Sequence, residues 1–271
     1  MTNEELMLEK METMLYERRG HVALVTMNRP QARNAYDDQM QGEMAQVWRH
    51  VRGDPDVWAM VLTASGEESF CAGRDVKELS AFQAKGELVP RYDPQHPSYG
   101  DFGAHLHKYN VGKPIIGAIN GYAIGGGLGL VLSCDLRVMS SNAWFGDLHV
   151  NIGQIGGAAR ILQQMPYAVA CELVLAGHRL NAARAREVGL VNEVVPPDQV
   201  LPRALALAEE VCQMSPTAVQ RSKQIMQSML AVPAGTFALE EHYAAQQRLT
   251  EDGQEGPRAF RERRKPQWTG R

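Results

Sequence analysis

Lys113 to Asp135 reads K-P-I-I-G-A-I-N-G-Y-A-I-G-G-G-L-G-L-V-L-S-C-D. It opens as a buried strand, turns on the three glycines Gly125-Gly126-Gly127, and continues as a helix that begins inside them. Such a turn brings bare backbone N–H groups to one spot, which suits a negative oxygen. It is not a P-loop, because no G-K-[ST] follows. The dinucleotide fingerprint fails as well, since Leu130 occupies its third glycine position. Glycines alone serve equally well as a tight strand-to-helix connection.

Outward from this stretch, strands alternate with helices. Gly20 to Met27 and Val57 to Ala64 are β-branched runs with the look of strands buried on both faces. Between them, Asn34 is placed to cap a helix over 35–51, whose Met40, Met44, Val47 and Trp48 recur at helical spacing. Phe70-Cys71-Ala72-Gly73-Arg74-Asp75 is a second small-residue turn opening into a helix, and residues 86–100 read as a loop. A helix is expected near 102–109, then short strands at 135–139 and 143–145. From Ala159 onward the pattern is almost wholly helical, ending in a basic tail from Phe260 to Pro266. The predicted class is α/β with largely parallel pairing.

With 28 basic against 31 acidic residues in a chain of 271, the net charge of −3 gives no reason to expect nucleic acid. Four scattered cysteines without a C-x-x-C pair point to a reduced protein and to no metal site. The acidic N-terminus lacks the layout of a signal peptide. No apolar run approaches the roughly 18–20 residues that span a bilayer. The expectation is a soluble cytoplasmic protein with no membrane contact.

F-C-A-G-R-D-V-K-E-L, K-P-I-I-G-A-I-N-G-Y-A-I-G-G-G-L, C-D-L-R, A-W-F-G and G-L-V-N-E-V-V-P resemble, in order, the motifs of the crotonase (enoyl-CoA hydratase/isomerase) superfamily. N-R-P-Q-A-R-N-A and F-R-E-R-R-K-P-Q-W resemble it at the two ends, so that the likeness runs over about residues 14–271. It implies a core of ββα repeats of the ClpP/crotonase kind over 14–205. A short extension would precede it at 1–13, and a helical oligomerisation or lid region would follow at 206–271. The resemblance further implies a homotrimer or a hexamer of paired trimers, and an acyl-coenzyme A thioester as substrate, with no other cofactor. The thioester oxygen would accept from the backbone N–H of Arg74 and of Gly126. Ala72, Gly73, Asp75, Val76, Lys77 and Gly125 would border the coenzyme A arm, and Arg33 and Lys265 would meet phosphates. The acyl pocket would be lined from the segment 80–105 and the C-terminal helices.

The departures matter as much. Hydratases of this family carry one glutamate two residues after the third glycine, where this chain has Gly129. They carry a second four residues after the phenylalanine of A-x-F-G, where this chain has His149. Adding water across a double bond needs groups that take and deliver protons, and glycine can do neither. The following loop, Gly153-Gln154-Ile155-Gly156-Gly157, is shorter than the family's. G-G-G-L-G is similar to aryl-CoA dehalogenases, yet their nucleophilic aspartate falls near Gly156-Gly157 here.

What remains as acid/base is His149 with Asp147, which share a side if that segment is extended. Asp101, His105 and His107 precede the glycine strand; the two histidines, two apart on a helix, cannot both face a site. The leading expectation is an acyl-CoA enzyme with a non-standard acid/base pair, catalysing hydration, isomerisation, hydrolysis or C–C cleavage. The alternative from another class is a non-catalytic acyl-CoA-binding protein.

Overall fold

Two sheets divide the strands in the computed structural model, which describes residues 8, 10–85, 87, 89–90, 95–96, 98, 100, 102–230 and 234–271. The larger sheet runs β1 (Met14–Arg19), β2 (Val22–Met27), β3 (Ala59–Ala64), β5 (Ile115–Ile119), β7 (Leu136–Ser140) and β10 (Glu193–Val195). The smaller runs β4 (Ser69–Cys71), β6 (Tyr122–Ile124), β8 (Trp144–Gly146) and β9 (Arg179–Asn181). β2, β3, β5, β7 and β10 are mutually parallel, as are β4, β6 and β8; β1 and β9 close their sheets antiparallel.

The expected ββα unit repeats three times. β3–β4 leads to α2 (Val76–Lys85), β5–β6 to α3 (Gly126–Leu132), and β7–β8 to α4 (Ala158–Gln164). In each unit the first strand joins the large sheet and the second the small one; α2 and α3 start within a few residues of their small-sheet strands, and α4 follows β8 after a 3-10 turn. The first helix, α1 (Asp38–Gly53), buries its periodic Met40, Met44, Val47 and Trp48 in the main core.

Alternation along the large sheet decides which face does what. Ala23, Val25, Met60, Leu62 and Ile119 enter the main core. Val22, Leu24, Val61, Ile116 and Val138 form a second layer under α7 (Val200–Cys212). The other C-terminal helices are α5 (Tyr167–Val174), α6 (Ala182–Glu187), α8 (Pro216–Met229), α9 (Ala234–Gln247) and α10 (Glu251–Arg261). One buried guanidinium fastens the backs of α3 and α4. Arg137 donates to the carbonyls of Val131 (2.9 Å), Leu132 (3.3 Å), Cys134 (2.8 Å) and Leu190 (2.9 Å), and to the side chain of Gln164.

Several local expectations differ from what forms. Asn34 does not cap α1; Asp37 does, accepting from Met40 N at 2.8 Å. Asn34 instead lies buried at φ 52°, accepting from Arg29 N and donating to the carbonyls of Ser65 and Ser69, each at 2.9 Å. The strand β1 was not anticipated, because its Glu17-Arg18-Arg19 end is polar and exposed at the sheet edge. Residues 102–109 form only a 3-10 turn, Leu106–Tyr109, since Gly103 is pressed under α1 and accepts from Trp48 Nε1 at 2.7 Å. The basic tail expected from Phe260 begins as the end of α10, a helix that its Gly253, Gly256 and Pro257 concealed. The buried carboxylate of Glu255 draws the tail back, pairing with Arg258 and Arg264 and accepting from Gln267 N at 2.9 Å. The expected loop at 86–100 falls largely outside the described residues, as does Asp101.

Candidate active site

The head of α3 and the turn at Ala72–Asp75 are pressed together, and glycine is what permits it. Gly73 has φ 85°, and a Cβ there would come within 2.8 Å of Ile124 O and 3.5 Å of Gly126 N. A Cβ on Gly127 would overlap Cys71 O, and one on Gly126 would overlap the hydroxyl of Tyr36. Tyr36 and Arg74 form a parallel bridge, in which Tyr36 N donates to Gly73 O (2.9 Å) and Asp75 N to Tyr36 O (3.0 Å). That pairing engages the groups on either side of Arg74 N–H and leaves this N–H turned the other way. Gly126 opens α3, so its N–H lacks an intrahelical acceptor. The Gly73 turn is thus packed against the first residue of α3, at the positive end of that helix.

His149 lies beside the head of α3, its ring against Gly125. The expected extended geometry does not hold: β8 ends at Gly146, and His149 has φ −59° and ψ −46° at the start of a 3-10 turn, Val150–Ile152. The pair still meets, because that turn swings the imidazole back and its Nδ1 hydrogen-bonds to Asp147 Oδ1. The ring lies between two glycines. A Cβ on Gly125 would be 3.2 Å from its Cε1, and one on Gly156 would be 3.0 Å from its Nε2. Asp147 is buried, with 2% of its side chain exposed, whereas His149 keeps 31%.

Burial works against protonating His149, but the hydrogen bond and charge of Asp147 and the charge of Glu240 outweigh it, so its pKa is raised above the ordinary histidine value. With Nδ1 committed, Nε2 is the nitrogen available for proton transfer.

Glu240 is the residue that sequence reasoning missed. It sits on α9, and its two carboxylate oxygens accept from Gly157 N and Ala159 N, each at 3.0 Å. It therefore caps α4 from outside and holds the glycine wall against the imidazole. No local motif signals it, because its partner Gly157 is 83 positions away.

The remaining expected residues scatter in role. Asp75 is engaged in capping α2, accepting from Lys77 N (3.0 Å) and Glu78 N (3.3 Å), and it also pairs with Arg29. The Arg74 side chain turns from the two N–H groups to bond Tyr36 O (3.2 Å) and Glu78. Ala72 N donates to Arg33 O (3.1 Å), while Val76 and Lys77 are exposed at the start of α2. The Arg33 side chain is exposed beside Glu68 (3.4 Å), on a basin of about 520 Å³ that Tyr122, Trp144 and Arg179 also line. Lys265 is exposed in the tail.

Gly129 faces open space: a Cβ there would meet no described atom within 4 Å. Gly129→Ala is expected to stabilise the fold by about 0.5–1 kcal/mol, since it replaces a helical glycine without a clash. A gain in thermal midpoint checks this; a loss would mean that the space is already filled.

The chain matches the family described as enoyl-CoA hydratase/isomerase over residues 17–271. It is 38% identical over 263 residues to the enoyl-CoA hydratase EchA19 of Mycobacterium tuberculosis, covering 95% of this chain and 96% of that protein. It is also 38% identical over 256 residues to the (E)-benzylidenesuccinyl-CoA hydratase of Thauera aromatica, covering 93% and 96%. Among solved structures, the carnitinyl-CoA hydratase from Mycobacterium avium superposes with a TM-score of 0.86 at 39% identity, covering 96% of this chain and 99% of that one.

Proposed function

The chain belongs to the enoyl-CoA hydratase/isomerase family and is an acyl-CoA enzyme by that membership; from this premise we propose that His149, oriented by Asp147, moves the proton while the thioester oxygen accepts from Arg74 N–H and Gly126 N–H. The observation that carries the reading is the Asp147–His149 hydrogen bond, which leaves Nε2 unengaged by Asp147 on a ring held between Gly125 and Gly156, next to the head of α3.

On a 2-enoyl thioester, neutral Nε2 takes a proton from water as its oxygen bonds to the β-carbon. The double-bond electrons shift toward the thioester oxygen, and the two N–H groups hold the resulting enolate. The imidazolium then returns the proton to the α-carbon, and the carbonyl re-forms. One imidazole thus serves in turn as base and acid, in a site where Gly129 supplies neither. The hydratase and dehydratase names of the relatives support testing water addition and removal first. Proton transfer needs no electron carrier, so coenzyme A enters only as part of the substrate, with Ala72–Lys77 bordering its arm. The test is a panel of enoyl and hydroxyacyl thioesters in deuterated water. Deuterium at the product α-carbon is expected, and a panel without turnover or exchange favours a binding protein.

The pH profile follows from His149. Its base form fills as pH rises through a pKa held above the ordinary value by Asp147 and Glu240. The rising limb of kcat/KM should therefore lie on the alkaline side of a free imidazole's, near 6.5. Asp147→Asn removes the charge that favours the imidazolium, so the limb should move to lower pH. The plateau should fall by at least about tenfold, as the tautomer is no longer fixed. A limb that stays in place would detach Asp147 from the chemistry.

Ile225, Met226 and Met229 on α8 and Tyr243 on α9 are each more than half exposed. This apolar surface supports assembly with further copies, as a trimer or hexamer, which sedimentation would read directly.

A further inference from the structure

A basic cluster lies one turn into α4, beyond the glycines that wall His149. Arg160 contributes a guanidinium whose Nε is buried with no hydrogen-bond partner among the described residues. His105 contributes an imidazole whose Nδ1 is likewise buried and unpartnered, and the His107 ring stands 5.7 Å from it. The charges of Arg160 and Lys108 both reach the His105 ring, which burial in the first place pushes down to about 4. At neutral pH the cluster is therefore a cation beside an uncharged imidazole, with an unmade hydrogen bond on each.

Glu240 does not fill the gap. Glu240 acts on Arg160 through its charge, but its two oxygens are spent on Gly157 N and Ala159 N. A buried donor left unmade costs free energy, and native proteins keep few of them. A guanidinium and an imidazole, each with an unmade hydrogen bond and close enough for the charge of one to act on the other, suit a planar anion with two oxygens.

Position narrows what that anion belongs to. Gly156 and Gly157 lie against His149 and Asp147, and Arg160 follows them by one helical turn, a rise of about 5 Å. Arg160 is thus one helical turn from the glycines that wall the ring assigned to proton transfer.

We propose that the acyl group carries a carboxylate of its own, received by Arg160 Nε–H and His105 Nδ1–H. The subsite rests on the acyl-CoA reading above and adds a substrate class to it: the CoA thioester of a dicarboxylic acid, in preference to an uncharged or cationic acyl group.

The test uses unreactive thioether analogues of acyl-CoA, so that no turnover is required. One ends in a carboxylate, one in a methyl group of similar size, and one in a trimethylammonium group, and binding is measured by calorimetry. The native protein should bind the carboxylate analogue about ten- to a hundred-fold more tightly than the methyl one, as suits a charged hydrogen bond. The cationic analogue should bind weakest. Arg160→Met should erase the difference while leaving the methyl analogue's affinity in place, which also reports that the variant is folded. His105→Phe should erase part of it. Equal affinities in the native protein, or an Arg160→Met variant that weakens both analogues alike, would overturn the subsite and leave the acyl-CoA reading standing. Failure of all three analogues to bind would overturn both.

Discussion

His149→Ala is expected to lower kcat by about 10²- to 10⁴-fold, the usual worth of a positioned acid/base group, while affinity for an unreactive acyl-CoA analogue stays close to that of the native enzyme. The split follows from where the ring sits. It lies between Gly125 and Gly156 with its Nδ1 on Asp147, and none of its described hydrogen bonds goes to either loop that would hold the thioester oxygen. Removing it also strips Asp147, which is 2% exposed, of its partner. A companion variant separates the two losses. His149→Gln keeps an N–H for Asp147 but cannot relay a proton, so it should be as slow as the alanine variant and more stable. Single-turnover rates and thermal midpoints read both. Native-like turnover in either variant would take His149 out of the mechanism.

Gly73→Ala should be nearly as damaging, by a different route. The residue holds φ 85°, where an L side chain costs on the order of 1–2 kcal/mol, and its Cβ would lie 2.8 Å from Ile124 O. The strain alone lowers stability. The clash, in addition, drives the Arg74 turn away from the head of α3, so that the two donors proposed to converge on one oxygen no longer would. Loss of one such donor costs about 10²–10³ in kcat. Gly20→Ala is the control: φ is 59° there, but no described atom lies within 4 Å of a Cβ. It should lose stability and keep full activity. If Gly73→Ala also keeps full activity, the two N–H groups do not act on the reacting oxygen.

The strand–glycine–helix stretch was legible because both of its signals are local. A continuous apolar run marks β5, buried on both faces, and three glycines mark a turn pressed too closely for side chains. The neighbouring turn at Gly73 was legible for the same reason. Asp147 and His149 were found as a pair, but through an extended geometry that the chain does not adopt; the 3-10 turn after Leu148 brings them together instead. Glu240 and Arg160 were invisible because their meaning depends on α9 meeting α4, a contact that no spacing in the sequence encodes. The helix α10 was hidden by its own glycines and proline; a pair within the helix, Glu255–Arg258, and one to the returning tail, Glu255–Arg264, support it.

Arg137 gives the glycine stretch a property beyond its shape. A short helix in isolation is an object with two opposite poles, and from a distance their fields largely cancel. At the back of α3 a buried guanidinium lies among the last carbonyls and balances the negative pole. The front, at Gly126, is left as an unopposed positive pole fixed in direction before any substrate arrives. An enolate forming there would meet a field already in place, with no dipoles to reorient as its charge develops. The same guanidinium reaches Gln164 at the end of α4, so the front that carries the N–H and the front that walls the imidazole share a single rear anchor.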